Sequence, residues 1–214
     1  MLTAILFMFA IGAAVASVDT TCGLNVLGSL DSTKVNRTKY ALVYTVSCTL
    51  GGLAAGVALG GIGYLLSLAP ISGLQSTLVM AGLGVLLLLD VLNMSRHLPS
   101  GNFIVPSEWI QHAGYRSAAL WGSILGMGFI TLQAGVLFHA YMFVSVLTLS
   151  WQASIAAGAC FGVVRGALFS LPFVRSVVYA WLGHRWLKRT LLTAVRQILS
   201  GGLILGAILW MLMV

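Results

Sequence analysis

The sequence predicts an all-α, polytopic integral membrane protein with six transmembrane helices, arranged as two inverted three-helix repeats in a single domain over residues 1–214. Three observations predict it: composition, six apolar runs, and basic residues confined to alternate connections. Of the residues, 59% are hydrophobic and only 7% are charged, and the mean hydropathy is +1.02. Soluble domains carry about 25% charged residues, so little of this chain is expected outside a bilayer.

The first three helices are predicted from apolar runs at about 3–29, 40–68 and 74–94. The first run would be about 40 Å long as a helix. That exceeds the hydrocarbon core, so the helix is tilted or interrupted, with Asp19–Gly23 as the expected interruption. In the second helix, Gly52 and Gly56 form a G-x-x-x-G step that lets a neighbouring backbone approach closely. The third carries Asp90 near its far end, where we expect an interfacial residue within reach of Arg96.

The last three helices are predicted at about 117–147, 153–174 and 193–214. The longest connection, about 95–116, precedes them. Helix four contains Gln133 and His139, and it joins helix five through an uncharged turn. Helix five has Arg165 in its middle, and a basic segment leads from there into helix six.

The basic residues predict the orientation in the membrane. The first, third and fifth connections carry ten of the eleven Lys and Arg residues when Arg196 is counted with the fifth, and the second and fourth carry none. Because basic loops stay in the cytoplasm, both termini are predicted to lie outside the plasma (inner) membrane. The net charge of +7 follows from this topology. Membrane lipid is therefore an expected partner, and nucleic acid is not.

The two halves of the sequence also resemble each other. An offset of 114 residues places Gly126 on Gly12, Gln133 on Asp19 and His139 on Asn25, and an offset of 110 places Gly162 and Gly166 on Gly52 and Gly56. With three helices in each half, the halves insert with opposite orientations. Inverted three-helix repeats are a transporter architecture, with the site near the midplane at interrupted helices.

Three polar residues fall at similar depth near the predicted midplane: Asp19, Gln133 and Arg165. An isolated arginine there is costly, and an Asp–Arg pair offsets part of that cost. Two interpretations stay open. Either Asp19 and Arg165 form a polar cavity that gates or binds a solute, or they are a structural ion pair that fixes helix packing.

Further candidate ligands surround Asp19 and extend into helix four. Asp19, Cys22 and Asn25 recur at i, i+3 and i+6, so they form one polar stripe on a helix, with Thr20 beside it. His139 is a candidate proton relay. The predicted substrate- or ion-binding residues are therefore Asp19, Thr20, Cys22, Asn25, Gln133, His139 and Arg165.

The three cysteines contain no C-x-x-C pair, so they predict neither a disulfide framework nor a zinc site. Cys22 is interpreted either as a functional thiol or as a small packing residue. Cys48 lies at similar depth in helix two, where the two thiols can meet. Cys160 is interpreted as a packing residue. No cofactor is predicted, and no metal is identified.

This pattern resembles the superfamily that contains the lysine exporter (LysE) family and the transmembrane domain of the CcdA and DsbD thiol–disulfide proteins. The shared features are six helices, an inverted repeat, both termini outside in the CcdA branch, and a polar or cysteine-bearing break in helix one. Here that break is Ser17–Gly23. The CcdA pattern has a second cysteine in helix four, where this chain has Gln133 and His139.

Three functions are compatible with these residues. The first is a small transporter of an ion or small solute with a polar midplane site. The second, implied by the resemblance, is a CcdA-like transmembrane thiol–disulfide electron-transfer protein that passes reducing equivalents through Cys22 to a thioredoxin-like partner. The third is a non-catalytic subunit of a larger membrane complex. No arrangement of residues indicates a hydrolase, a kinase or a nucleotide site.

Overall fold

The computed structural model describes residues 1–17, 26, 28–30, 33–69, 72–94, 98–99, 114–128, 135–174, 176–177 and 187–213, with side chains from residue 194 in the last range. Within these ranges every regular element is a helix. The helices are α1 (Leu2–Ala16), α2 (Arg37–Ser67), α3 (Gln75–Val91), α4 (Tyr115–Met127), α5 (Val136–Leu147), α6 (Trp151–Ser170) and α7 (Leu187–Met213). A short 3-10 turn, Ser72–Leu74, leads into α3.

Three helical segments are long and apolar enough to cross a membrane: Arg37–Ser67, Trp151–Ser170 and Ala194–Met213 within α7. Shorter apolar helices are α1, α3 and α5. Along one face of α2, Leu42, Val46, Leu50 and Val57 are each 52% to 64% exposed. Water-soluble proteins rarely expose so continuous an apolar face, so this surface fits lipid better than water.

Polar caps begin two of the long helices. The Asn36 side-chain oxygen accepts a hydrogen bond from the Lys39 backbone N–H at 3.1 Å, just before α2. The Ser150 hydroxyl accepts one from the Ala153 N–H at 3.4 Å, just before α6. Such caps satisfy N–H groups that have no partner inside the helix, so α2 and α6 each begin a few residues earlier than predicted.

Helix α2 lies between α4 and α6 and packs on both through glycine. Gly52 and Gly158 face each other so closely that a methyl group on either would overlap the backbone carbonyl oxygen of the other. A methyl group on Gly56 would lie 2.5 Å from a backbone oxygen of α6. From the α4 side, Gly126 meets the Cys48 carbonyl oxygen in the same way. The close backbone approach predicted from Gly52 and Gly56 is therefore present.

The region predicted as one helix over 117–147 is interrupted, and the prediction of a continuous helix four is wrong on this point. Helix α4 ends at Met127 and α5 begins at Val136. Gly128 closes α4 with φ +71°, a left-handed conformation that glycine adopts without steric cost. Gly135 before α5 is extended. A helix cannot continue through a residue in the Gly128 conformation, so the chain leaves the helix there.

The first predicted helix, 3–29, was expected to be tilted or interrupted. Helix α1 ends at Ala16 with Ser17 as its C-cap, and helical backbone is seen again within 26–30. The predicted interruption at Asp19–Gly23 lies outside the described residues. The structure therefore describes one helical segment on each side of residues 18–25.

The described segments of these two regions pack across each other. One apolar cluster joins α1 to α5, with Phe9 and Tyr141 in its centre. A second cluster joins Val26 and Leu30 to α4, with Trp121 fully packed between them and α2. Thus the segment before residues 18–25 packs on the later part of the 115–147 region, and the segment after them packs on its earlier part.

Candidate functional site

Of the predicted substrate- or ion-binding residues, the structure describes His139 on α5 and Arg165 on α6. The others lie outside the described residues: Asp19, Thr20, Cys22, Asn25 and Gln133. Their chain neighbours are described, because Ser17 precedes the first group, and Gly128 and Gly135 lie on either side of Gln133. The described helices that border these positions or carry His139 and Arg165 are α1, α4, α5 and α6.

Arg165 lies in the middle of α6 and is only 3% exposed. Its guanidinium carbon is 5.6 Å from the centre of the Phe161 ring, one turn earlier on the same helix. The Tyr44 hydroxyl and the Cys48 thiol of α2 lie close enough to interact with the guanidinium electrostatically. Arg165 Nε makes no hydrogen bond. The only carboxylate in the described ranges, Asp90, is bound elsewhere, so no described acid neutralises Arg165.

Two further hydrogen-bond donors near α2 are buried without a partner. Tyr44 is fully buried, and its ring meets Phe169 edge-on at 6.1 Å. Its hydroxyl lies near the Arg165 guanidinium and the Cys48 thiol, but within the described ranges it makes no hydrogen bond of normal geometry. Trp121 of α4 belongs to the same apolar cluster as Tyr44, and its indole N–H is likewise unpartnered. Buried polar groups are normally paired, so unpaired donors next to a buried cation mark this region as a functional candidate.

Tyr44 and Trp121 were not among the predicted site residues. A usable signal was present: Tyr44 precedes Cys48, Gly52 and Gly56 at a spacing of four residues, so it lies on the packed face of α2 and not on the lipid face. Trp121 is adjacent to Gly122, which packs against the Tyr44 backbone oxygen.

An aromatic group lies between Arg165 and the interruption after α4. Phe161 stacks on Tyr141 with ring centres 5.8 Å apart and planes 6° apart. Phe138 contacts both rings, at 5.5 Å from Phe161 and 5.7 Å from Tyr141. A methyl group on Gly128 would overlap the Phe138 ring. The aromatic group therefore connects the cation on α6 to the point where α4 ends.

His139 is 7% exposed and binds two backbone carbonyls. Its Nδ1 is 3.1 Å from the Gly135 oxygen, and its Nε2 is 2.8 Å from the Pro99 oxygen. A neutral imidazole has one N–H to donate, so it can satisfy one of these two carbonyls. Leu98 beside Pro99 packs on the main apolar cluster. His139 thus ties part of the long connection to the start of α5.

Asp90, predicted to be interfacial, is buried within the protein and is only 5% exposed. Its carboxylate accepts a hydrogen bond from the Ser200 hydroxyl of α7, and the Gln197 side-chain N–H lies 3.4 Å from the Asp90 backbone oxygen. Helix α3 packs on α7 at this point, so the Ser200 hydroxyl of α7 reaches Asp90 inside the bundle. Arg96, the expected neighbour, lies outside the described residues.

Ser200→Ala is expected to destabilise the protein by about 1–3 kcal/mol, since it leaves the buried Asp90 carboxylate without its hydroxyl donor. Thermal unfolding in detergent measures the loss. In an Asp90→Leu background the same substitution should cost little, because no carboxylate remains to be left unpaired. Equal losses in both backgrounds would show that Ser200 acts by packing and not through the hydrogen bond.

The cysteines described by the structure are free thiols. Cys48 is fully buried between α2, α4 and α6, and Cys160 is half-buried on α6. Cys22 lies outside the described residues, so the predicted meeting of Cys22 with Cys48 stays a prediction. Because the Cys48 thiol is enclosed, thiol exchange there with a soluble protein would require the glycine contacts of α2 to open.

Comparisons of the chain with protein-family profiles, with curated proteins and with solved structures found no match. Among the described residues, no group of three or more His, Cys, Asp or Glu side chains could hold a metal ion.

Proposed function

We propose that this protein is a small plasma-membrane transporter of an ion or small solute, with its binding site where two divided transmembrane helices cross. The observation that carries the proposal is the reciprocal packing of these helices. Helix α1 packs on α5, while Val26 and Leu30 pack on α4. In inverted-repeat transporters, divided helices of this kind meet near the midplane and form the substrate site.

The remaining contacts support two inverted halves of three helices each. Helix α2 of the first half packs on α6 of the second, and α3 packs on α7. Each of these helices therefore meets the helix that corresponds to it in the other half. This arrangement is expected when a twofold axis in the membrane plane relates the halves. An inverted repeat is one of the features by which the sequence resembles the LysE and CcdA superfamily. The charge pattern then puts both termini outside.

A divided helix suits a binding site because its ends carry backbone groups without helical partners. Inside a bilayer such groups are tolerated only where protein or a water-filled cavity surrounds them. The left-handed Gly128 fixes one such end at the aromatic group. The buried Arg165 lies on the other side of that group, in keeping with a functional role for intramembrane charges.

A cysteine at Gly135 tests this proposal. A side chain there meets none of the described atoms within 4 Å, so Gly135→Cys is expected to fold normally. In a background with Cys22, Cys48 and Cys160 changed to Ala, the new thiol should react with a charged, membrane-impermeant reagent from either face of the membrane. Access from both faces is expected because a transporter opens its central site alternately to each side.

Gly202→Cys is the matched control, because Gly202 is exposed near the middle of the last candidate span and its side chain would also meet nothing within 4 Å. Facing lipid, it should react from neither face. Labelling of Gly135→Cys from neither face would contradict a central aqueous site and favour a non-catalytic subunit. Labelling from one face only would contradict alternating access.

A further inference from the structure

We infer that the solute held at this site is an anion, bound by the Arg165 guanidinium together with the Tyr44 hydroxyl and the Trp121 indole N–H. The inference rests on the proposed transporter function and names the chemical class of its substrate. It depends on the unpartnered donors, on their position, and on the local charge.

Of the five buried side-chain atoms without a hydrogen-bond partner in the described ranges, three lie on α2, α4 and α6, and the other two are the Tyr141 and Ser145 hydroxyls of α5. Arg165 Nε and Trp121 Nε1 can only donate, and Tyr44 Oη carries one donatable proton. Their side chains are 3%, 1% and 0% exposed respectively, so bulk water does not satisfy them. Leaving a buried donor unpaired is costly. A ligand that relieves all three must present acceptors, as a carboxylate or an inorganic oxyanion does.

The three donors lie on three helices around one region. Tyr44 is the neighbour of Arg165 across the α2–α6 contact. Trp121 approaches from α4, in the apolar cluster that it shares with Tyr44. The same cluster contains Val26 and Leu30, which directly follow residues 18–25. A ligand held by these donors would therefore lie beside the helical segment that contains Val26 and Leu30.

The charge balance points the same way. Arg165 has no carboxylate beside it in the described ranges, because Asp90 is bound to Ser200 at the α3–α7 contact. Phe161 provides a cation–π contact to one face of the guanidinium, and the Nε–H makes no hydrogen bond in the described ranges. A guanidinium edge matches the two oxygens of a carboxylate or oxyanion. Asp19 is the competing acceptor, and the experiment separates the two.

The test is thermal unfolding of the purified protein in detergent at fixed ionic strength. A bulky sulfonate buffer is replaced stepwise by sodium chloride, acetate, phosphate or sulfate. At least one of these anions should raise the unfolding temperature by several degrees when it saturates the site, as about 100 times the Kd would. Lysine hydrochloride at the same chloride concentration is the cation control. It should raise the unfolding temperature no further than sodium chloride does.

Variants identify the binding groups. Arg165→Gln should raise the half-saturating concentration about 100-fold, and Tyr44→Phe and Trp121→Phe about tenfold each, as expected for hydrogen bonds to a charged ligand. Arg165→Lys keeps the charge but lacks the paired N–H groups of the guanidinium. Its half-saturating concentration should therefore fall between those of wild type and Arg165→Gln. Tyr64→Phe is the matched control, because Tyr64 lies on the same helix as Tyr44 but is 56% exposed, and it should leave the titration unchanged.

The inference is overturned if no anion shifts the unfolding temperature, or if the shift persists in Arg165→Gln. It is also overturned if anions stabilise Asp19→Asn but not the wild type, since Asp19 would then be the resident partner of Arg165. Its failure is distinct from failure of the transporter proposal. Two-sided labelling of Gly135→Cys without anion binding keeps the transporter and removes the anion, whereas anion binding with no labelling removes the transporter.

Discussion

Gly52→Leu is expected to prevent the protein from accumulating in a folded form. The side chain would have to occupy the position of the Gly158 carbonyl oxygen, and a backbone atom held in a helix cannot move aside as a side chain can. Inserting extra carbon into a packed core typically costs about 1–3 kcal/mol. Separating α2 from α6 should cost more than that. Size-exclusion chromatography of detergent extracts, followed by thermal unfolding, measures the outcome.

Gly61→Leu is the control for this experiment. Gly61 is on the same helix, but it is exposed and a side chain there meets nothing within 4 Å. Its stability should stay within about 0.5 kcal/mol of wild type. Gly158→Leu should fail as Gly52→Leu does, because the contact is reciprocal. A monodisperse Gly52→Leu protein with the wild-type unfolding temperature would contradict the observed α2–α6 approach.

Arg165→Met is expected to make the unliganded protein more stable while it abolishes anion binding. Methionine fills a comparable volume beside Phe161 and removes a buried cation that no described acid neutralises. Replacing buried charge by well-packed apolar side chains is often stabilising by about 1–4 kcal/mol. For a chain of this length each kcal/mol shifts the unfolding temperature by about 2–4 °C. Unfolding is measured without and with the stabilising anion.

Arg196→Met provides the comparison, since Arg196 is half-exposed on α7 and its replacement should change stability by no more than about 0.5 kcal/mol. The opposite result for Arg165→Met is equally informative. A loss of about 3–5 kcal/mol is typical when one member of a buried ion pair is removed. That loss would identify Arg165 as the partner of Asp19 and restore the structural interpretation of the pair.

Hydropathy and glycine spacing were enough to predict much of the fold. Apolar runs located α2, α3, α6 and α7 to within several residues, and the G-x-x-x-G step at Gly52 and Gly56 identified the face of α2 that meets another backbone. Both signals are local properties of the chain. They depend on how a helix presents its side chains, and not on which partner it meets.

Features that depend on distant partners were not predictable in this way. The end of α4 rests on the backbone conformation of Gly128 and on the Phe138 ring beside it, and an apolar run gives no sign of either. The Asp90 carboxylate is buried because Ser200, 110 residues away in sequence, donates to it. In the candidate site, Arg165 was predicted from its charge in an apolar helix. Tyr44 and Trp121 are identified as candidates only from the hydrogen bonds that they lack in the structure.

The contact between α2 and α6 has a consequence for motion. At Gly52 and Gly158 the two helices meet backbone to backbone, so no side chain interlocks with another there and no rotamer has to change when the helices turn. Contacts of Cα–H groups with carbonyl oxygens are weak and numerous, and each is readily replaced by an equivalent one after a small rotation. We expect the glycine face to act as a pivot about which α2 and α6 turn against each other.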